Sequence, residues 1–215
     1  FYSKLLKKIK VSYCPINVGE YKLTTGLDSK RLILIDRVGR RKRQDLLVEV
    51  FKIVHNNDPE VKLSIVGNYK KMTGDKSKPN MYAEKMFATI DKYGLRDYIT
   101  VHGMVSEQEK IDLFSSSSIF VKTSSHEMQG ITTLEAMASG LPVVAFDNSA
   151  TSETVKMGGG ILIKDEDVEA MANAILDLLK DEDKLKTMSK DAQNGAREAS
   201  IPVVLPEFIK IISSK

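Results

Sequence analysis

The feature that most constrains the fold is an alternation of short apolar runs with longer amphipathic stretches, which begins at Arg31. Most of the short runs are apolar throughout, as expected for strands that helices cover on both faces. Strands and helices that alternate in this way are typical of β-α-β units and a parallel sheet. The predicted strands are Leu32–Ile35, Lys62–Val66, Tyr98–His102, Ile119–Lys122, Val143–Phe146 and Ile161–Ile163.

Helices are predicted between these strands, and turn residues support their boundaries. Gly94 and Gly140 are typical stop positions, and Ser106 forms a capping box with Glu109 three residues later. The predicted helices are Gln44–His55, Met81–Tyr93, Glu107–Ser115, Ile131–Ala138, Val168–Leu179 and Lys184–Glu198. We therefore predict an α/β fold, with a Rossmann-like, doubly wound and mostly parallel sheet.

The pattern divides the chain into three parts. Residues 1–30 are predicted as a connector and residues 31–200 as one Rossmann-like domain. Residues 201–215 form a C-terminal tail, for which a helix is one reading. A length of 215 residues fits one domain with flanking segments.

Charge and cysteine content narrow the classes of function. The 32 Lys and Arg residues nearly balance 29 Asp and Glu, so no nucleic-acid partner is expected. Cys14 is the only cysteine, which excludes an internal disulfide and favours a reducing, cytoplasmic location. No apolar run approaches the roughly 20 residues that a membrane-spanning helix needs.

The loop between the fourth predicted strand and the next helix is the most informative segment. Ligands of doubly wound sheets bind at the carboxyl ends of the strands, so this loop faces the expected crevice. Gly130 lies just before the helix, where backbone can approach a ligand closely. Free amides at the helix start, with the helix dipole behind them, predict an anion site suited to phosphate. These amides belong to Gly130, Ile131, Thr132 and Thr133.

Two carboxylates flank this predicted anion site. Glu127 precedes the helix, and Glu135 lies about one turn inside it, from where its side chain leans back toward the helix start. A carboxylate beside an anion-binding pocket has a role when it accepts hydrogen bonds from hydroxyl groups, and sugars supply such hydroxyl groups. A sugar at each end of a phosphate site suggests a nucleoside diphosphate sugar.

The loop after the first strand supplies the opposite charge. Arg37 follows the strand directly, and Lys42 comes five residues later, near the start of the next helix. A guanidinium and an ammonium that converge on a diphosphate would neutralise it and stabilise it as a leaving group. Other basic residues of this loop are read as a solvated turn; they are Arg40, Arg41 and Arg43.

In combination, these motifs resemble the retaining GT-B glycosyltransferases of the family-4 type. The resemblance rests on the Arg–x4–Lys loop, the Glu–x7–Glu element and the Leu-Glu-Ala-Met-Ala-Ser-Gly-Leu-Pro-Val-Val run that starts at Leu134. It covers roughly Arg31 to Leu179 and matches the C-terminal, donor-binding domain, which is one half of the GT-B fold. It implies transfer of a sugar from a nucleotide donor, with retention, without a metal or other cofactor.

The resemblance also implies roles for individual residues. Glu127 contacts the transferred sugar and, with Arg37 and Lys42, forms the catalytic set. Glu135 holds the ribose, and Met104 falls in the turn that lines the base. The remaining donor-binding residues are Gly130, Ile131, Thr132 and His126. His126 is adjacent to Glu127 and is placed to hydrogen-bond the sugar or the leaving group, with a structural loop histidine as the alternative.

The chain departs from the family pattern at three points. Asp36 stands where the family usually has Gly, and Glu127-Met128-Gln129-Gly130 replaces the usual Glu-Gly-Phe-Gly. The N-terminal, acceptor-binding domain has no room in 215 residues, so a missing domain or a separate subunit would supply it, and membrane contact could come through it. Two alternatives stay open: a non-catalytic partner module that binds nucleotide sugars and a basic nucleic-acid-binding domain. The sequence leaves base, sugar and acceptor open.

Two further motifs have simpler readings. The acidic triplet at residues 165–167 is read as the cap of the helix that starts at Val168 rather than as a metal site. The glycine triplet at residues 158–160 is read as a tight turn before a strand rather than as a phosphate cradle.

Overall fold

The computed structural model describes residues 12–213, and in this range six strands form one sheet. The strands are β1 (Arg31–Ile35), β2 (Lys62–Val66), β3 (Ile99–Gly103), β4 (Ile119–Lys122), β5 (Val143–Asp147) and β6 (Gly160–Lys164). The α-helices are α1 (Gln44–Asn57), α2 (Met81–Lys92), α3 (Glu107–Ser115), α4 (Ile131–Ala138), α5 (Ser149–Lys156), α6 (Val168–Lys180), α7 (Glu182–Glu198) and α8 (Ile201–Ser213).

The sheet has the order β3-β2-β1-β4-β5-β6, and every paired strand is parallel. This order confirms the predicted doubly wound, Rossmann-like α/β fold. Alternate residues of β1 show why its sequence is apolar from Leu32 to Ile35. Leu32 and Leu34 pack in a core with α1, α2 and α6, whereas Ile33 and Ile35 pack on the other face with α4 and α7. Both faces of the strand are therefore buried.

The predicted strands and helices are confirmed, with end points that differ by one or two residues. Strand β3 begins at Ile99 rather than Tyr98, and α7 begins at Glu182 rather than Lys184. Helix α5 has no counterpart in the prediction. Its Ser- and Thr-rich sequence has weak helical propensity, and the helix buries Thr151, Thr154 and Val155.

The segments before and after the sheet lie against each other. Ile16 forms a parallel bridge with Ser200, and its amide donates to the carbonyl of Ala199 at 2.9 Å. The connector prediction for residues 1–30 is described only from residue 12, and its first eleven residues lie outside the described range. The C-terminal tail forms α8, as one reading of the sequence expected, and residues 214 and 215 are not described.

The glycine triplet forms the tight turn that the sequence predicts, and packing explains it. A Cβ atom on Gly159 would lie 2.3 Å from the amide nitrogen of Ala192 in α7, and its φ of +68° is left-handed. The acidic triplet behaves as predicted as well, because Asp167 accepts a bond from the amide of Ala170 at 3.0 Å and caps α6. None of the helices within residues 12–213 combines the length and the apolar character needed to cross a membrane.

Candidate functional site

The candidate site lies where the strand order reverses, between the carboxyl ends of β1 and β4. The basic loop after β1 and the loop after β4 contact each other directly. The amide of Ser125 donates to the carbonyl of Arg41 at 2.7 Å, and the hydroxyl of Thr123 donates to the carbonyl of Lys42 at 2.9 Å. The two segments that the sequence assigned to one ligand are therefore neighbours.

A cleft of about 1010 Å³ opens between these loops. Its lining includes seven of the nine residues that the sequence analysis proposes for the site: Arg37, Lys42, His126, Glu127, Gly130, Ile131 and Thr132. Lys70, Met72 and Tyr82 line it from the side of β2 and α2. The cleft lies at the upper limit of the size range of small-molecule sites.

The start of α4 presents free backbone donors to the cleft. Gly130 adopts a left-handed φ of +76° at the position before the helix. Within residues 12–213, the amides of Gly130, Ile131 and Thr132 have no acceptor. The expectation that the amide of Thr133 is also free is wrong, because it donates to the carbonyl of Gly130 at 2.9 Å. Three amides and the helix dipole thus form an anion-binding end.

The loop that precedes α4 is held in place by two other segments. The amide of Glu127 donates to the hydroxyl of Ser149 at 2.9 Å, and Thr154 donates to the carbonyl of Gln129 at 2.7 Å. The side-chain amide of Gln129 makes two bonds to the backbone of Cys14, at 2.6 and 2.8 Å. Helix α5, which the sequence did not reveal, is therefore a support of the site.

Four charged side chains form a compact network at the base of the cleft. The ammonium groups of Lys42 and Lys122 both contact Glu127 Oε1, at 2.6 and 2.7 Å. The same two groups contact Asp36 Oδ2, at 2.9 and 2.5 Å. Two cations are therefore paired with two anions through a single oxygen of each carboxylate. Lys122 and Asp36 are site residues that the sequence analysis does not propose.

The network sets the charge of Glu127. Burial by itself raises the pKa of this carboxyl, but the charge of Lys122 and hydrogen bonds from Lys122 and Lys42 outweigh burial and lower the pKa to about 2. Burial likewise disfavours the charge on Lys42, yet its bonds to Glu127 and Asp36 raise its pKa above the ordinary value. Glu127 and Lys42 are therefore both charged at neutral pH.

Arg37 differs from the two lysines because it is exposed. Its guanidinium contacts Met72 Sδ at 3.5 Å, and it forms no ion pair in the part of the chain that the structure describes. The group is available to an anion in the cleft. Arg40 and Arg41 are also exposed, as the sequence predicts. Arg43 is not simply solvated, because it pairs with Asp165 at 2.8 Å and with Glu166 at 2.9 Å.

Glu135 and Met104 lie outside the set of residues that line the cleft. Glu135 Oε1 accepts bonds from the hydroxyl of Tyr21 at 2.8 Å and from Lys110 at 2.9 Å. Its other oxygen, Oε2, is buried and has no donor among the described residues. Burial and then the bond to Glu135 raise the pKa of Tyr21. Met104 is 77% exposed, and the donor-binding roles of both residues stay predictions.

Across residues 12–213, no group of three or more His, Cys, Asp or Glu side chains is placed to hold a metal ion. The acids of the cleft, Asp36 and Glu127, are bonded to lysines instead. Metal independence remains a prediction.

Comparison with known proteins gives the site a family context. The sequence profile described as "Glycosyl transferases group 1" matches residues 21–195 of this chain, which is more than half of its length. The lipopolysaccharide core biosynthesis mannosyltransferase LpsB of Rhizobium meliloti (strain 1021) is 31% identical over 207 residues, which are 93% of this chain and 55% of LpsB.

Two further matches agree with that profile. The poly(ribitol-phosphate) alpha-N-acetylglucosaminyltransferase of Staphylococcus aureus (strain COL) is 28% identical over 84% of this chain and 34% of its own length. The solved structure of HepE from Anabaena, in complex with UDP and glucose, superposes with a TM-score of 0.82 at 22% identity. It covers 96% of this chain and 57% of that one. The chain thus spans between a third and somewhat more than half of these proteins.

Proposed function

Because this chain belongs to the glycosyl transferases group 1 family, we propose that it is the donor-binding half of a retaining, metal-independent glycosyltransferase. It transfers a sugar from a nucleoside diphosphate sugar to an acceptor hydroxyl. One observation carries the proposal: the cleft at the strand-order reversal places Arg37 and Lys42 beside the free amides that begin α4. Cations and backbone donors that share one cleft suit a diphosphate.

Different groups of the cleft bind different parts of the donor. Arg37 and the amides of Ile131 and Thr132 bind the diphosphate, and Lys42 joins them as charge develops on the leaving group. Glu127 stays ionised and accepts hydrogen bonds from the sugar hydroxyls, which fixes the orientation of the sugar. Glu135 lies farther along α4, and we assign it the ribose.

The reaction needs no nucleophilic side chain. The bond between the anomeric carbon and the diphosphate oxygen breaks, and its electron pair leaves with the phosphate. The acceptor oxygen bonds to the same face of the anomeric carbon, and its proton passes to the departing phosphate oxygen. The new bond therefore keeps the configuration of the old one. Arg37, Lys42 and the start of α4 supply the positive charge that a metal ion would otherwise supply.

Transfer requires an acceptor-binding domain, which we place outside the described residues. The matches span 34% and 55% of two relatives that are named as transferases, so about 66% and 45% of those proteins lie outside the matched part. Helix α8 exposes Val203, Phe208 and Ile212 by about half or more, which suits a contact with such a domain. Of these three side chains, Phe208 lines a pocket together with Tyr13 and Gln129, and Gln129 also lines the donor cleft.

We propose a cytoplasmic location, because nucleotide sugars are the inferred donors and the only cysteine, Cys14, is free. Contact with a membrane through the acceptor-binding part, and the absence of a nucleic-acid partner, stay predictions.

The proposal is tested by calorimetric titration of the chain with UDP, GDP and ADP, first in EDTA and then in Mg²⁺. UDP is the first ligand to try, because HepE was solved with UDP. We expect saturable binding of at least one nucleotide with the same affinity in both buffers. No binding of any of the three would refute donor binding, and a strict requirement for Mg²⁺ would refute metal independence. Binding without transfer after the acceptor part is restored would favour the non-catalytic partner module.

A further inference from the structure

Lys122 is the last residue of β4, and its position is unusual for a lysine. The three preceding residues of the strand are apolar and buried, and Lys122 itself is only 1% exposed. Its ammonium contacts Asp36 Oδ2, Glu127 Oε1 and, at 3.5 Å, the hydroxyl of Thr132. Burial of an ammonium is costly unless it is paired, so the pairing with two carboxylates explains how this lysine is tolerated.

The two lysines of the network duplicate each other. Lys42 contacts the same oxygen of Asp36 and the same oxygen of Glu127 that Lys122 contacts. If Lys42 moves away, each carboxylate still has a cation against it. If Lys122 is absent, Lys42 becomes the only cation for two anions, and its removal would leave both of them uncompensated at the base of the cleft.

The two lysines differ in their access to the cleft. Both lysines line the cleft, but the Lys42 side chain is 21% exposed and stands in the same loop as Arg37, whereas the Lys122 side chain is only 1% exposed. Asp36 directly precedes Arg37, so an unpaired carboxylate there would repel a diphosphate bound at Arg37.

We propose that Lys122 is a positioning residue that holds Asp36 and Glu127 in place and neutralised, so that Lys42 is released to the donor diphosphate. This inference rests on the proposed function. Lys122 does not touch the donor; it maintains the electrostatic balance of the cleft base while Lys42 changes partners. The effects of Lys122 and Asp36 on nucleotide binding are then coupled. Removal of Lys122 alone weakens binding, whereas removal of the Asp36 charge alone does not.

A double-mutant comparison tests this. Nucleotide affinity is measured by calorimetry for the wild-type chain, Lys122→Met, Asp36→Asn and the double variant Asp36→Asn/Lys122→Met. We expect Lys122→Met to weaken binding of UDP, or whichever diphosphate the wild type binds, by about tenfold to a hundredfold. The double variant, which retains one lysine and one carboxylate, recovers most of this loss. Asp36→Asn alone binds no more weakly than wild type, because Lys42 then has one partner fewer.

Two readouts separate this role from a merely structural one. Lys62→Met, an exposed lysine at the start of β2, is the matched control and leaves affinity unchanged. Carboxyl-carbon NMR titration of Glu127 reports the local charge, and its pKa rises in Lys122→Met. Thermal unfolding identifies any variant that fails to fold. If Lys122→Met does not fold, the nucleotide affinity of Asp36→Asn is the test. Weaker nucleotide binding by Asp36→Asn than by the wild type overturns the inference.

The outcomes distinguish the inference from the proposed function. No nucleotide binding by the wild-type chain overturns both. Binding by the wild type that Lys122→Met leaves unchanged, or a loss that Asp36→Asn does not repair, overturns the role of Lys122 alone. A loss that the second substitution repairs, with a raised Glu127 pKa in the single variant, supports it.

Discussion

The charge network at the base of the cleft makes the free energy of unfolding depend on pH. The substitution Glu127→Gln isolates the contribution of Glu127 to this dependence. Glutamine has the shape of glutamate but cannot ionise, so it resembles the protonated side chain. The pKa of Glu127 is about 2 in the folded chain, against an ordinary value of 4.5. The difference corresponds to on the order of 3 kcal/mol of unfolding free energy at neutral pH, because each pKa unit is worth about 1.4 kcal/mol.

The pH window follows from the direction of the pKa change. A carboxyl whose pKa is lowered by folding contributes fully above 4.5, and its contribution is lost as the pH falls from 4.5 toward 2. Wild type and Glu127→Gln should therefore differ in unfolding free energy by on the order of 3 kcal/mol at pH 6. The difference should shrink to roughly half of that at pH 3.

Urea denaturation followed by circular dichroism measures this difference at pH 6, 5, 4 and 3. Glu84→Gln, which changes an exposed glutamate of α2, is the control and should show little pH-dependent difference from wild type. A Glu127→Gln difference that stays constant from pH 6 to pH 3 would refute the reasoning, because it would mean that the lysines do not hold Glu127 ionised. A negligible difference at pH 6 would refute it equally.

Two further predictions concern the binding loop and the packing of the sheet. Arg37→Ala should weaken nucleoside diphosphate binding by on the order of 1.5–3 kcal/mol in calorimetry, while the melting temperature stays the same because this side chain is exposed. Gly159→Ala should lower the unfolding free energy by about 2 kcal/mol or more, since its Cβ would meet the Ala192 amide at 2.3 Å. Gly74→Ala has a similar φ of +73° but meets nothing within 4 Å, so a loss as large as that of Gly159→Ala would contradict the steric explanation.

The sheet and most helices could be predicted because their signals are local. Runs such as Leu32–Ile35 are apolar on both faces, and that alone indicates a central parallel strand. Helix α5 could not be predicted in this way, since its sequence is polar and rich in Ser and Thr. Tertiary bonds from Ser149 and Thr154 to the loop before α4 tie it to the site, and no local pattern records them.

The candidate site likewise contains residues that the sequence predicts and residues that it does not. Arg37, Lys42 and Glu127 follow from spacing and from their places at strand and helix ends. Lys122 gives no such signal, because a charged residue at the end of an apolar strand is ordinarily read as a boundary. Only the folded chain brings it to Asp36, which is 86 residues away. The bond between Tyr21 and Glu135 spans 114 residues and is equally invisible in the sequence.

The central claim is that a diphosphate binds between the cationic loop after β1 and the start of α4. Amide NMR of the ¹⁵N-labelled chain titrated with UDP, GDP or ADP tests it most directly. Saturable shifts should be largest at Gly130, Ile131 and Thr132, with a smaller change at Arg37, and should be lost in Arg37→Ala at the same nucleotide concentration. Shifts centred on another part of the molecule, or none with all three nucleotides, would contradict the claim.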